Sequence, residues 1–397
     1  MLKLIQLALA PLALCGSALA QVPEDSGPYP AGVTSVQFSH PLAAANNVSA
    51  EIYYPAETAG TNTPPRLADG PYPLVGFSHG YFAPPQFYSD LCEHIASHGF
   101  VVASIGTESG LFQFIDRQAQ DTHAMLYWMD EQSVTAGAFF EGMLDDSDWA
   151  VVGHSNGCVA NMMIPEWEAE VYACAIAMEP RMNDLPALST YKGALHVIAG
   201  SNDLINPPAF HAVPFYEDAT STRRRTYTVI EGAGHNGSIN FPSAINPLSH
   251  SEQHRLHRRL VVALLQTEVR GREDECYHIF GDGASSEPLT PEAICRQPIL
   301  WTALTGSELH VGGASVPELR WVVGASLGTT PLSSPQWFPE LDPARSRLLT
   351  KGLVPATGLV EVTALLPSGG PQDLYIRGGA FSSQSVFWTR MATLQAP

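Results

Sequence analysis

Residues 149–159 constrain this chain more than any other stretch. Ala150-Val151-Val152 is a short apolar run that ends in Gly153-His154-Ser155-Asn156-Gly157, and the residues from Cys158-Val159 onward suit a helix. A strand that turns sharply into a helix at Gly-x-Ser-x-Gly lifts the serine hydroxyl above the end of a sheet, while the flanking glycines let neighbouring backbone come close. Ser155 is therefore the candidate nucleophile. Gly and Ser are also common in ordinary turns, so the strand before the motif and the helix after it carry the argument.

The rest of the chain alternates in the way such a unit requires. Strand-like runs occupy 33–39, 48–54, 73–78, 100–105, 173–178, 195–199 and 226–230, and helix-like stretches occupy 89–98, 118–130 and 251–265. In the last of these, Leu256, Leu260 and Leu264 lie along one side. Alternation of this kind predicts an α/β fold, a mostly parallel sheet covered by helices on both faces, with ligands at the carboxyl ends of the strands. Residues 273–298 read as a polar loop. From Leu300 onward short alternating runs and frequent Gly, Pro and Ser breaks predict a small all-β module, a sandwich. At 397 residues the chain is long for one core. The expected division is 1–20 signal peptide, 21–298 catalytic domain and 299–397 C-terminal β-module.

The leader reading rests on Lys3, an apolar segment over 4–14 that is too short to span a bilayer, and Ala18-Leu19-Ala20, which place cleavage before Gln21. Leu14 makes Cys15 a poor lipid-attachment site, and no later stretch is long enough to span, so the expectation is a secreted protein. Cys92, Cys158, Cys174, Cys276 and Cys295 remain, an odd set that predicts at least one unpaired thiol in an oxidising compartment. A net charge of -19, from 39 acidic and 20 basic residues, repels nucleic acid and anionic membranes and leaves neutral small-molecule or polymeric substrates. The chain has no phosphate loop and no zinc signature, so no cofactor is expected.

A serine hydroxyl needs a base, and the base an orienting acid. The strand 195–199 runs into a polar loop carrying Asp203, and the strand 226–230 runs into Gly232-Ala233-Gly234-His235. Asp203 and His235 thus follow Ser155 in the order that such sheets use. Glu179, at the end of the strand 173–178, is the rival acid. Two backbone N–H groups must also meet the oxyanion: Asn156 supplies one, and Tyr81, in Ser78-His79-Gly80-Tyr81, the other. His79 reads as a residue that shapes this loop. His250, His254 and His257 share one helical face; with no carboxylate or cysteine partner on that face, a solvated surface is preferred to a metal face.

Taken together, Ser78-His79-Gly80-Tyr81, the elbow, the Asp203 loop and the His235 loop resemble those of the bacterial cutinase-like polyester hydrolases. These belong to a wider group with dienelactone hydrolases, chlorophyllases and platelet-activating-factor acetylhydrolases. The resemblance covers about 28–298 and implies the α/β-hydrolase fold, ester hydrolysis through an acyl-enzyme on Ser155, His235 and Asp203, and no metal or cofactor. It also implies a disulfide between Cys276 and Cys295. Two residues depart from the family pattern: Cys158 stands where a second glycine is usual, and Met178-Glu179-Pro180-Arg181-Met182 lacks the tryptophan that clamps aromatic units. The alternatives are a catalytically silent surface or carbohydrate-binding protein on the same fold, and a peptidase or acyltransferase with the same machinery. Trp321, Trp337 and Trp388 in the tail are either core residues or a grip on an insoluble surface.

Overall fold

The computed structural model describes residues 22–396 apart from 146–147, 184, 242–244, 306–307, 316, 318, 327–345, 366–371, 382–385 and 390–391. The leader reading of 1–20 and Trp337 fall outside the described residues.

Ten strands form the main sheet: β1 (Ala31–Phe38), β2 (Val48–Pro55), β3 (Gly60–Thr61), β4 (Leu74–Ser78), β5 (Val101–Ile105), β6 (Ala150–His154), β7 (Cys174–Met178), β8 (Ala194–Gly200), β9 (Arg224–Ile230) and β10 (Leu289–Cys295). Their spatial order is β10-β9-β8-β7-β6-β4-β5-β2-β1-β3. From β5 to β9 every neighbouring pair is parallel. Strands β4 to β8 are buried along their whole length, which is why they read as continuous apolar runs rather than alternating ones.

The helices α1 (Ser89–Ser97), α2 (Ile115–Val134), α3 (Asn156–Met163), α4 (Pro186–Thr190), α5 (Ala212–Glu217) and α6 (His250–Glu268) cover both faces. One buried cluster takes Leu126 and Met129 from α2, Val159 from α3 and Phe215 from α5. The other takes Leu91 and Ile95 from α1 and the Leu256, Leu260, Leu264 stripe of α6. Ser249 caps α6, its hydroxyl accepting from the Glu252 N–H at 3.3 Å.

Order decides where a ligand can sit. The chain leaves β4 for β5 on one side and returns to β6 on the other, so a crevice opens beyond the carboxyl ends of β4 and β6, at the switch in winding. The elbow follows β6, and His79-Gly80-Tyr81 follows β4.

Two expectations are corrected here. Residues 273–298 are not one loop: β10 adds an antiparallel edge to β9, a role its Pro291 permits only at an edge. Nor is there a Cys276–Cys295 bridge, for all five described cysteines are buried thiols. Cys276 Sγ meets Thr267 Oγ1 at 3.5 Å. Cys295 pairs across the ladder with Arg224, whose guanidinium is held by Glu268 and Glu273.

Beyond these come β11 (Ile299–Thr305), β12 (Glu308–Ala314), β13 (Arg320–Ser326), β14 (Ser346–Leu353), β15 (Leu359–Leu365), β16 (Gln372–Phe381), β17 (Val386–Trp388) and β18 (Ala392–Ala396). They form two antiparallel sheets, β11-β12-β15 and one built on β14-β13-β16. Leu300 and Val311 of the first share a core with Trp321 and Ile376 of the second. Trp321 is thus a core residue rather than a surface grip; the side chain of Trp388 is outside the described set. Trp301 packs the other way, into the cluster that holds α6, with its ring 5.6 Å from that of Phe280.

Candidate active site

Ser155 sits at φ 54°, ψ −116°, a backbone conformation that non-glycine residues avoid. Its N–H donates to the Met178 carbonyl at 3.0 Å, which ties the turn to the end of β7. Only glycine fits at 157, where a Cβ would stand 2.0 Å from the Ser78 carbonyl oxygen. The elbow is therefore pressed against β4 on one side and β7 on the other, and the serine has no freedom to relax.

His235 Nε2 lies 3.1 Å from Ser155 Oγ, and its Nδ1 lies 2.8 Å from Asp203 Oδ2. A carboxylate only accepts, so the proton is assigned to Nδ1 and the Nε2 lone pair faces the serine. The other oxygen of Asp203, Oδ1, accepts from the N–H groups of Ile205 and Asn206 at 2.9 and 2.8 Å. Asp203, Ser155 and His235 are 2%, 7% and 9% exposed, a largely dry row.

Among the described residues the N–H groups of Tyr81, in the loop after β4, and of Asn156, at the start of α3, are left without a partner. A row of side-chain amides, Asn156 at the start of α3, Gln113 before α2 and Gln118 within it, runs to the loop after β4. Asn156 Nδ2 donates to Gln113 Oε1 (2.8 Å), Gln113 Nε2 to Gln118 Oε1 (2.8 Å), and Gln118 Nε2 to the His79 carbonyl (3.0 Å). His79 itself is buried, its ring between the Gly80 and Thr107 carbonyls, so it shapes the loop. Sequence reasoning missed Gln113 and Gln118, since no local pattern marks them. It also missed Asn206, whose Nδ2 is 3.0 Å from the Glu179 carbonyl and 3.4 Å from Ser155 Oγ; the Asp203-x-x-Asn206 turn was the available signal.

Glu179, the rival acid, is fully buried at φ 45° and turns away from His235. Its Oε1 meets His257 Nε2 at 2.9 Å. Burial pushes the Glu179 carboxyl up. Burial also opposes charge on His257, yet the carboxylate beside it outweighs that and holds the imidazole above its ordinary value. The solvated-surface reading of the three helical histidines fails for this reason: His254 and His257 are buried, and His257 serves Glu179. His250 Nε2 donates instead to the Ile239 carbonyl, and the described residues hold no metal-binding group of three or more such side chains.

Around this row the loops after β4, β5 and β8 expose Phe82, Phe112, Phe114, Leu204, Ile205 and Phe210 to solvent. Arg181, after β7, donates from Nη1 to Asn156 Oδ1 at 3.2 Å.

A mostly parallel α/β sheet with a strained serine elbow at its winding switch defines an α/β-hydrolase. The family model described as PET hydrolase-like (PETase) matches residues 20–250. A cutinase of Thermobifida fusca is 31% identical over 244 residues, 59% of this chain and 75% of the relative. Cutinase 1 of Thermobifida cellulosilytica is 31% identical over 220 residues, 55% of this chain and 76% of its own. A bis(hydroxyethyl) terephthalate hydrolase of Streptomyces coelicolor is 31% identical over 211 residues, covering 53% and 61%. The chain belongs to the PET hydrolase-like family and is a carboxylic ester hydrolase.

Proposed function

We propose that this protein is a secreted serine hydrolase of carboxylic esters, polyesters among them, with its catalytic domain over 21–298. The observation that carries the reading is the buried row Ser155 Oγ, His235 Nε2, His235 Nδ1, Asp203 Oδ2, with contacts of 3.1 and 2.8 Å. His235 takes the serine proton as Oγ attacks the ester carbonyl. Asp203 keeps the proton on Nδ1 and stabilises the imidazolium that forms. The Tyr81 and Asn156 N–H groups receive the oxyanion, His235 returns the proton to the leaving alcohol, and water then cleaves the acyl-enzyme by the same path.

Substrate preference follows from the rim. Exposed phenylalanine, leucine and isoleucine on three loops favour an apolar chain longer than a small ester. In place of the clamping tryptophan that the resemblance leads one to expect, residues 178–182 carry Arg181. Soluble short- and medium-chain esters are turned over fastest, aliphatic polyesters, whose chain the apolar rim holds, more slowly, and aromatic polyesters least. Secretion rests on the leader-like 1–20, and no described helix is long and apolar enough to cross a membrane.

Ser155→Ala tests the assignment. Turnover of p-nitrophenyl esters should fall by roughly a millionfold, and an organophosphonate should label Ser155 alone in the wild type. A variant that keeps a tenth of wild-type turnover would reject Ser155 as nucleophile.

A further inference from the structure

Three buried ionisable side chains beside the catalytic row have no part in the mechanism above: His154, Glu179 and His257. His154, the residue before the nucleophile, is 2% exposed and has both ring nitrogens engaged. Nε2 is 2.8 Å from the main-chain carbonyl of His235, and Nδ1 is 2.8 Å from the Tyr88 hydroxyl. That hydroxyl in turn lies 3.1 Å from the Gly80 N–H. A carbonyl can only accept, so His154 carries its proton on Nε2. Its Nδ1 must then accept, so the Tyr88 O–H donates to it, and the Tyr88 oxygen is left to accept from Gly80. One arrangement satisfies every group and no other does.

The surroundings favour the same arrangement. Glu179 Oε2, which has no hydrogen-bond partner among the described residues, faces His154 Nε2 at 4.0 Å, and a carboxylate there draws the proton to that nitrogen. His257 holds the other oxygen of Glu179 and donates from Nδ1 to the Gln253 carbonyl at 2.7 Å. The Gln253 side chain accepts from the Gly234 N–H at 3.1 Å, so α6 braces the His235 loop from below. The packing is close as well: a Cβ at Gly80 would stand 2.8 Å from His154 Nδ1.

We propose that His154 is a positioning residue, a tie between the strap that supplies the Tyr81 N–H and the loop that carries the base. Gly80 precedes the oxyanion donor, and His235 is the base itself, so the Gly80–Tyr88–His154–His235 chain fixes the distance between the two groups that must act together on Ser155. This deepens the proposed function and rests on its reading of Ser155 and His235. Geometry of this kind matters because a misplacement of about 1 Å between catalytic groups costs on the order of a hundredfold in rate.

Tyr88→Phe removes the hydroxyl and keeps the ring that packs against Phe77, 4.9 Å away. With p-nitrophenyl butyrate, kcat should fall by roughly 10- to 100-fold while KM stays within about twofold. Affinity for a trifluoromethyl ketone, which forms an oxyanion on the serine, should fall by the same factor as kcat. His154→Leu should lose at least as much, and His154→Gln, which offers an amide N–H near the Nε2 position, should recover part of the loss. Wild-type kcat in folded Tyr88→Phe, or a loss confined to KM with ketone affinity unchanged, would overturn the tie. Should Tyr88→Phe not fold, the comparison of His154→Gln with wild type decides by the same two readouts. Organophosphonate labelling of the wild type separates the cases: no label on Ser155 counts against the triad reading, and a label with normal variants counts against the tie alone.

Discussion

Asp203 and Glu179 are both buried carboxylates at strand ends near Ser155, and only their partners distinguish them. Asp203 spends one oxygen on His235 and the other on two backbone N–H groups; Glu179 spends one on His257. Asp203→Asn should therefore lower kcat by about ten-thousandfold through the wrong histidine tautomer. Glu179→Gln should cost far less, about the 1 kcal/mol of one weakened hydrogen bond. Steady-state rates on one soluble ester check the ranking, and the reverse order would make Glu179 the acid. That both residues are candidates was legible from strand ends and chain order. The choice between them was not, because it depends on the φ 45° turn at Glu179, which no local residue pattern announces. The Tyr88–His154 and Gln113–Gln118 contacts were hidden for a related reason: polar partners far apart in sequence follow no period.

Helices α1 and α6 carry histidines that the fold holds neutral. Burial takes His94 down to about 4, although its ring bonds the Pro23 carbonyl at 2.7 Å. Burial likewise takes His254, and His278 in the turn after α6, to about 4. An unfolded chain protonates these rings near pH 6.5, before the folded one does. Their contribution to stability is thus complete above about 6.5 and is lost as pH falls toward 4. Glu275 works oppositely: burial raises it to about 7, so its contribution fades as pH rises from about 4.5 to 7. Three histidines outweigh one carboxyl, and the urea midpoint should drop between pH 7 and pH 5. His94→Gln should flatten that slope; an unchanged slope would show that His94 does not set it. At this scale the apolar stripe of α6 and the buried runs of β4 to β8 were readable because burial on a regular element imposes a regular pattern. The β10 strand was not: its burial alternates, but Pro291 and Glu292 in its middle read as loop residues.

Across the whole molecule, Trp301 joins parts that composition separates. It lies on the first strand of the tail, yet it is buried with α6 and beside Phe280. Trp301→Ala should cost about 3–5 kcal/mol, as large buried aromatics do. The melting temperature should fall accordingly, and a chain ending at Pro298 should show a loss of similar kind even where its soluble-ester rate per folded molecule is kept. Full stability in either would mean that the tail contributes nothing to the larger core. Alternating residues announced the tail's strands but not which way Trp301 faces, because that depends on how the two sheets meet. The row of Ser155, His235 and Asp203 has its own dependence on the whole. Ser155 and His235 are 80 residues apart in sequence, and the loops that hold them stand in register only once the parallel strands between them have paired. Contacts so distant along the chain are slow to form. During refolding, helix signal should therefore return first and turnover last, so that the enzyme's own activity is a clock for completion of its central sheet.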